Sequence, residues 1–350
     1  MLRKSLLLMM ALLGASVCRA QVTVTEYPVT TSGSVPDFIT AAPDGNLWFT
    51  ENNGSNIGRI TTNGVVTEFP TPTANSGPSC ITGGPDGNVW FAESLGNNIG
   101  RITPDGTIAE FPIPGGSEPF GITAGPDGNI WFTAQFGNYI GRMTTAGALT
   151  QFPLPTSSSI PLGITAGRDG NLWFAEQSVS RIGRISTTGS LSEFSTPSAG
   201  TNVSGITSGP DGNLWFNEGS VNHIAKITFA GVISEFPIPT ANSGPDSIAV
   251  GADGNLWFTE LFASQLARST PAGVITEFSI PTPNSGPAGI AEGSDSNLWF
   301  TEQNGNNIAK AALGPPTNQN QCKQGGWNSF TIPEKFRNQG DCVSFVNTGT

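Results

Sequence analysis

The chain has 350 residues, with 45 Gly, 27 Pro, 15 basic and 26 acidic residues, and a formal net charge of −11. An acidic chain this rich in turn-formers argues against nucleic acid or anionic lipid as a partner, and against a helical fold. Its length fits one large all-β domain.

Residues 1–20 stand apart. Arg3 and Lys4 precede an apolar run over Ser5–Leu13, and a small-residue end at Cys18-Arg19-Ala20 precedes Gln21. This reads as a signal peptide cleaved near Ala20, and the run is too short to span a bilayer. The rival is a lipid anchor at Cys18, disfavoured by the bulky Val17 before it. A secreted or periplasmic protein is expected, with no transmembrane span. Removing Arg3, Lys4 and Arg19 would leave 12 cations against 26 acids, a net of −14.

Next comes Val22-Thr23-Val24-Thr25-Glu26-Tyr27-Pro28, a strand with no partner nearby in sequence. Its text is repeated at Gly64-Val65-Val66-Thr67-Glu68-Phe69-Pro70.

From there the chain is periodic. Trp48, Trp90, Trp131, Trp173, Trp215, Trp257 and Trp299 recur every 41 or 42 residues, and the eighth Trp, Trp327, lies beyond the array. The second unit shows the pattern. Pro-Asp-Gly-Asn-Val-Trp-Phe-Ala-Glu fills 85–93, Asn-Ile-Gly-Arg-Ile-Thr fills 98–103, and Ile-Ala-Glu-Phe-Pro fills 108–112, after an opening run like Gly121-Ile122-Thr123 of the third. Four short apolar runs bounded by turn residues predict four antiparallel strands per unit. One such sheet cannot bury both faces, but a ring of seven can. The fold class is therefore a seven-bladed β-propeller over residues 21–312. The last unit lacks its Glu-Phe-Pro strand, so residues 22–28 are expected to close the seventh blade.

Residues that recur in every blade serve the fold first. The turn Asp, the Glu of Trp-Phe-x-Glu and the Glu before the outer aromatic account for most acids. Seven repeat cations (Arg59, Arg101, Arg142, Arg184, Lys226, Arg268 and Lys310) are expected to pair across strands with the Trp-Phe-x-Glu carboxylates. Ala134 replaces that Glu in blade three, which would leave Arg142 without its partner.

Function is sought in departures from the repeat. The remaining ring acids are Asp37, Asp105, Glu118, Asp246 and Glu292; Asp105 is a turn residue, and the others flank first strands, which line a propeller's channel. Asp37, Phe120 and Asp246 share one repeat position, filled elsewhere by Ser79, Leu162, Ser204 and Ala288. Asp37, Glu118, Phe120, Asp246 and Glu292 are thus the candidate channel-rim residues, for a small-molecule, peptide or glycan ligand. Asp37 and Asp246 are weak candidates for a divalent cation. The single His, His223, reads as a solvated turn residue, and Cys80 as a small buried hydrophobe. A monomer is expected.

Beyond a linker at 313–321, residues 322–350 form a short tail with Cys322 and Cys342. A disulfide between them would staple a segment with few apolar groups. Trp327 and nearby Phe residues are a candidate attachment surface.

Pro-Asp-Gly-Asn-Leu-Trp-Phe-Thr-Glu, Asn-Ile-Gly-Arg-Ile-Thr and Thr-Glu-Phe-Pro-Ile-Pro-Thr together resemble the virginiamycin B lyase (streptogramin B lyase) family over residues 22–312. The resemblance implies a seven-bladed propeller and a magnesium-assisted elimination that opens a cyclic depsipeptide at its ester. It also implies His in Pro-His-Ala-Ile and Glu-Pro-His-Gly-Ile segments of blades six and seven, suited to removing a carbon-bound proton. This chain instead reads Pro245-Asp246-Ser247-Ile248 and Gly286-Pro287-Ala288-Gly289-Ile290, and its nearest echo is Glu118-Pro119-Phe120-Gly121-Ile122. Two readings follow: a binding propeller without that His pair, or a carbon-oxygen lyase of the family type. A hydrolase using a metal held by channel carboxylates is a third.

Overall fold

A computed structural model describes residues 22–314. The expected leader at 1–20 and the Cys322–Cys342 pair lie outside the described residues. The described residues form 28 strands in seven four-stranded antiparallel sheets. Blade one runs outward from the channel as β2 (Pro36–Ala41), β3 (Leu47–Glu51), β4 (Asn56–Ile60) and β5 (Val66–Pro70). Blades two to six repeat that order. No helix among the described residues is long and apolar enough to cross a membrane.

Blade seven combines β26 (Pro287–Glu292), β27 (Leu298–Glu302) and β28 (Asn307–Leu313) with β1 (Val22–Pro28) from the other end of the chain. β1 pairs with β28 from Val22 opposite Leu313 to Pro28 opposite Asn307. Tyr27 stacks on Trp299 at 5.6 Å between ring centroids, and the Glu26 carboxylate accepts bonds from Thr282 N–H and Oγ1 at 3.0 and 2.7 Å. The N-terminal strand thus supplies what the fourth strand supplies elsewhere, and no blade is left incomplete.

The repeat motif is explained by one layered cluster per blade. Each of the seven repeat Trp side chains is fully buried. In blade one Trp48 stacks on Phe69, and Arg59 lies over both rings at 5.4 and 5.5 Å. The indole N–H of Trp48 donates to Asp44 at 3.1 Å, and the same carboxylate accepts from the backbone and side chain of Asn46. One Asp therefore closes the turn and satisfies the buried indole. Truncating one such Trp would cost about 3–5 kcal/mol.

The repeat cations do not pair with the Trp-Phe-x-Glu carboxylates, contrary to expectation. Register places Arg59 opposite Trp48, whereas Glu51 lies opposite Asn56. The cation instead crosses to the next blade: Arg59 donates to Pro104 O, Arg101 to Thr145 O, Arg142 to Thr187 O and Lys310 to Thr62 O. Arg142 is thus bound as the others are, despite Ala134. Arg268 faces blade seven, which has no hairpin between third and fourth strands because β1 is its fourth; it pairs instead with Asp253 at 3.8 Å.

The Trp-Phe-x-Glu carboxylates are buried beside the outer-strand Glu. Asn56, Asn98 and Asn307 each donate to one of them, at 3.0 to 3.1 Å. Burial pushes Glu51, Glu93 and Glu176 up to about 7, and Glu260 to about 8. Blade three drops both acids, with Ala134 and Gln151 in their places, and Tyr139 fills the space with its hydroxyl 3.1 Å from Ser117 Oγ.

Two outcomes follow. Deleting residues 21–30 should lower the thermal midpoint by at least about 10 °C by opening blade seven; a truncated protein that melts like the full chain would refute the closure. Acids with raised folded-state pKa bind protons more tightly folded than unfolded, so their stabilisation is complete below the unfolded value near 4.5 and is lost as pH rises through 7 to 8. The midpoint should therefore fall between pH 5 and pH 8.5 in a calorimetric series, and Glu93→Gln should flatten that slope.

Candidate functional site at the channel mouth

Every first strand carries a β-bulge at its N-terminal end. In blade one Pro36 pairs with Glu51 and Ile39 with Phe49, so Asp37 and Phe38 together oppose Thr50. The same shift recurs in all seven blades. A bulge bends the strand and re-aims its side chains. Here it leaves two residues per blade beside the channel that the ladder does not constrain.

The Thr of Trp-Phe-Thr-Glu satisfies the bulge. Thr301 Oγ1 accepts from Gly289 N–H at 2.9 Å and donates to Asp37 O of blade one at 2.6 Å. Thr259 does the same between Ser247 N–H and Ala288 O. The second bulge residue is Gly in blades three, four, five and seven. A Cβ on Gly289 would stand 2.6 Å from Asp37 O, so the close approach of neighbouring blades requires Gly there.

In blades one and two that position is Phe38 and Cys80, which line the mouth. A cavity of about 540 Å³ opens there, walled by Phe38, Phe120 and Leu162, by Phe262 on an outer loop, and by Cys80. Phe38 and Phe120 meet edge to face at 5.5 Å, joining blade one to blade three. Gln135, Gln177, Ser204 and Asp246 give it polar points. Leu95, Phe136 and Phe262 are 69, 64 and 75% exposed on loops joining second to third strands, and the loops of blades three to six reach this mouth. Cys80 is half-buried and faces the cavity, rather than lying wholly in the core as expected.

Asp37 and Asp246 both sit half-buried at the bulge. Burial raises Asp37 to about 7; the charge of Asp246 adds to this, and a 2.8 Å hydrogen bond from Gln303 opposes it. Burial raises Asp246 to about 6. Burial and these two carboxylates hold the Cys80 thiol well above its usual range. The mouth is therefore an apolar bowl with an acidic side whose carboxylates hold protons more tightly than usual, suited to a ligand with an apolar body and a cationic or donor-rich group.

The structure brings together Asp37, Phe120 and Asp246 of the sequence candidates. Glu118 lies one step outside, in the loop before the bulge, with φ +46°; its backbone N–H and C=O are bound to Asn97 and Gln135. Glu292 closes β26 at the other end of the strand, about 13 Å along the chain from the bulge, where burial, Asp253 and Asp295 raise its pKa. Sequence reasoning missed Phe38, Gln303 and the loop residues Gln135 and Phe262. Unequal residues at one repeat position were the available signal for Phe38. His223 is not a turn residue: it opens β20 (His223–Ile227) and faces two carboxylates.

If burial sets these pKa values, Asp246→Asn should raise the thermal midpoint at pH 8 by about 2–5 °C and leave it unchanged at about pH 3, below the unfolded value of 3.8, where the acid is protonated in both states. A drop at both pH values would contradict this.

Comparison with known proteins agrees with this architecture. The virginiamycin B lyase family model matches residues 14–121 and 115–318. Among solved structures, virginiamycin B lyase from Staphylococcus aureus is 40% identical over 84% of this chain and all of its own, with a TM-score of 0.80. A streptogramin B lyase is 38% identical over 84% of this chain and 98% of its own, with a TM-score of 0.81. A catalytically inactive His-to-Ala variant of the Staphylococcus aureus enzyme, solved with quinupristin, is 40% identical over 84% of this chain and all of its own, with a TM-score of 0.80. No curated protein sequence matches the chain. On the family match and these identities, the chain belongs to the virginiamycin B lyase family.

Proposed function

We propose that this chain is an exported binding member of its family, which takes an amphipathic ligand at the channel mouth and does not open it by the lyase route. The observation that carries this reading is the pair of bulge residues Asp246 and Ala288, at the positions where the family pattern writes its two His. The Staphylococcus aureus relative is inactive as a His-to-Ala variant, which supports the importance of such a residue there. His223, the single His of this chain, belongs to the outer part of blade five.

The residues at the mouth do not fit the magnesium implied by the family. Among the described residues, the one group of three ligating side chains within 4.8 Å of one another is not there. Asp37 and Asp246 alone are a thin set for an ion that demands near-octahedral oxygen coordination.

The second reading is lyase activity, favoured by 40% identity to an enzyme. An acid of pKa near 6 can act as a base at neutral pH, and Asp246 is the group so placed.

Incubation with quinupristin, with and without magnesium, separates the two readings. Chromatography that resolves the ring-opened isomer should show no turnover, while calorimetry should show binding that Asp246→Ala weakens about tenfold. Metal-dependent ring opening lost in Asp246→Ala would overturn the proposal in favour of the lyase.

A further inference from the structure

One cluster outside the mouth has chemistry of its own. In blade five, β19 (Leu214–Glu218) ends at Glu218, β20 begins at His223, and β21 (Ile233–Pro237) carries Glu235. Glu218 lies directly opposite His223, and Glu235 lies on the diagonal, two residues before Pro237, the partner of His223. His223 Nδ1 is 3.7 Å from Glu218 Oε2 and 3.9 Å from Glu235 Oε2.

The cluster is built rather than incidental. Glu218 is fully buried, and neither of its carboxylate oxygens has a hydrogen-bond partner; nor has His223 Nδ1. Glu235 is held in place, its oxygens accepting from Ser198 N–H and Oγ at 2.9 and 2.8 Å. Other blades resolve the same position differently. Asn56, Asn98 and Asn307 donate to their buried Glu, and Arg181 bonds Glu193 at 2.7 Å. Glu176 and Glu260 share the unbound oxygens of Glu218. Only blade five, among the described residues, adds an imidazole to the two carboxylates.

Two carboxylate oxygens and one imidazole nitrogen within 4.8 Å match the ligand set of a divalent transition metal. Bonds of about 2.0–2.2 Å from each atom to a common centre need the side chains to close in by only a fraction of an ångström to about an ångström. We propose that Glu218, His223 and Glu235 form a zinc-class metal site, with Ser198 orienting one ligand and an open position for water. The site stands behind the mouth wall, since Gly219 and Ser220 follow Glu218 directly and line the cavity. A bound ion would brace that wall. The inference does not rest on the proposed ligand binding.

The test uses the chelator-treated full chain, dialysed against zinc at pH 7.5, with metal content and thermal midpoint as readouts. His223→Asn serves as the comparison, because Asn at the equivalent place satisfies the buried Glu of three other blades. Glu235→Gln, after Gln151 of blade three, is the second variant. Zinc held elsewhere on the chain would appear equally in all three proteins. The parent chain should retain one zinc more than either variant and gain about 5 °C on loading. Equal zinc in the parent and both variants, or an equal gain in midpoint, would overturn the proposal.

Discussion

The structure depends on the contact between a buried Trp and the Asp four residues before it. An indole N–H removed from water needs an acceptor, and a turn needs a side chain that can bond its own backbone. One carboxylate does both, at 2.9 to 3.2 Å in every blade. It also fixes the geometry in which the outer aromatic stacks on the Trp and a cation covers both. Most of those cations then reach a carbonyl of the following blade, so the unit within a blade is also the link between blades.

That economy explains why an acidic protein has so little free charge with which to signal function. The turn Asp, the outer Glu and the repeat cations are all committed to the frame. The β-bulge is where the frame lets go. In four of the seven blades a threonine hydroxyl absorbs its backbone demands, and the two side chains it releases are open to variation. Asp37, Phe38, Phe120 and Asp246 fill that freedom with acid and aromatic surface. Ser79, Leu162, Ser204 and Ala288 leave it small or plain. The acidic pair buried in the outer part of each blade is a second place of variation, and it yields a neutral Tyr139 in blade three and the His223 cluster in blade five.

The sequence carried the fold nearly complete, because Trp spacing counts blades and the matching text at 22–28 and 64–70 betrays the closing strand. Asp37, Phe120 and Asp246 were legible as departures from a regular pattern. Phe38 was not, because a bulge adds one residue to a strand and shifts which neighbours point inward. The cation pairing was misread because strand order gives neighbours but not register: Arg59 faces Trp48, three strand positions short of Glu51's row. His223 looked solvated because its carboxylate neighbours come from strands 5 and 12 residues away in sequence, which only the folded sheet assembles.

On the function proposed above, frame and mouth are separable, and bulge residues the fold does not need would carry recognition. The direct measurement is a triple variant, Asp37→Ser, Phe120→Leu and Asp246→Ser, which writes into the mouth residues that other blades already carry. Its thermal midpoint at pH 8 should equal or exceed that of the parent, while quinupristin binding falls at least about tenfold by calorimetry. A midpoint lower by 10 °C or so, or unchanged binding, would contradict the account.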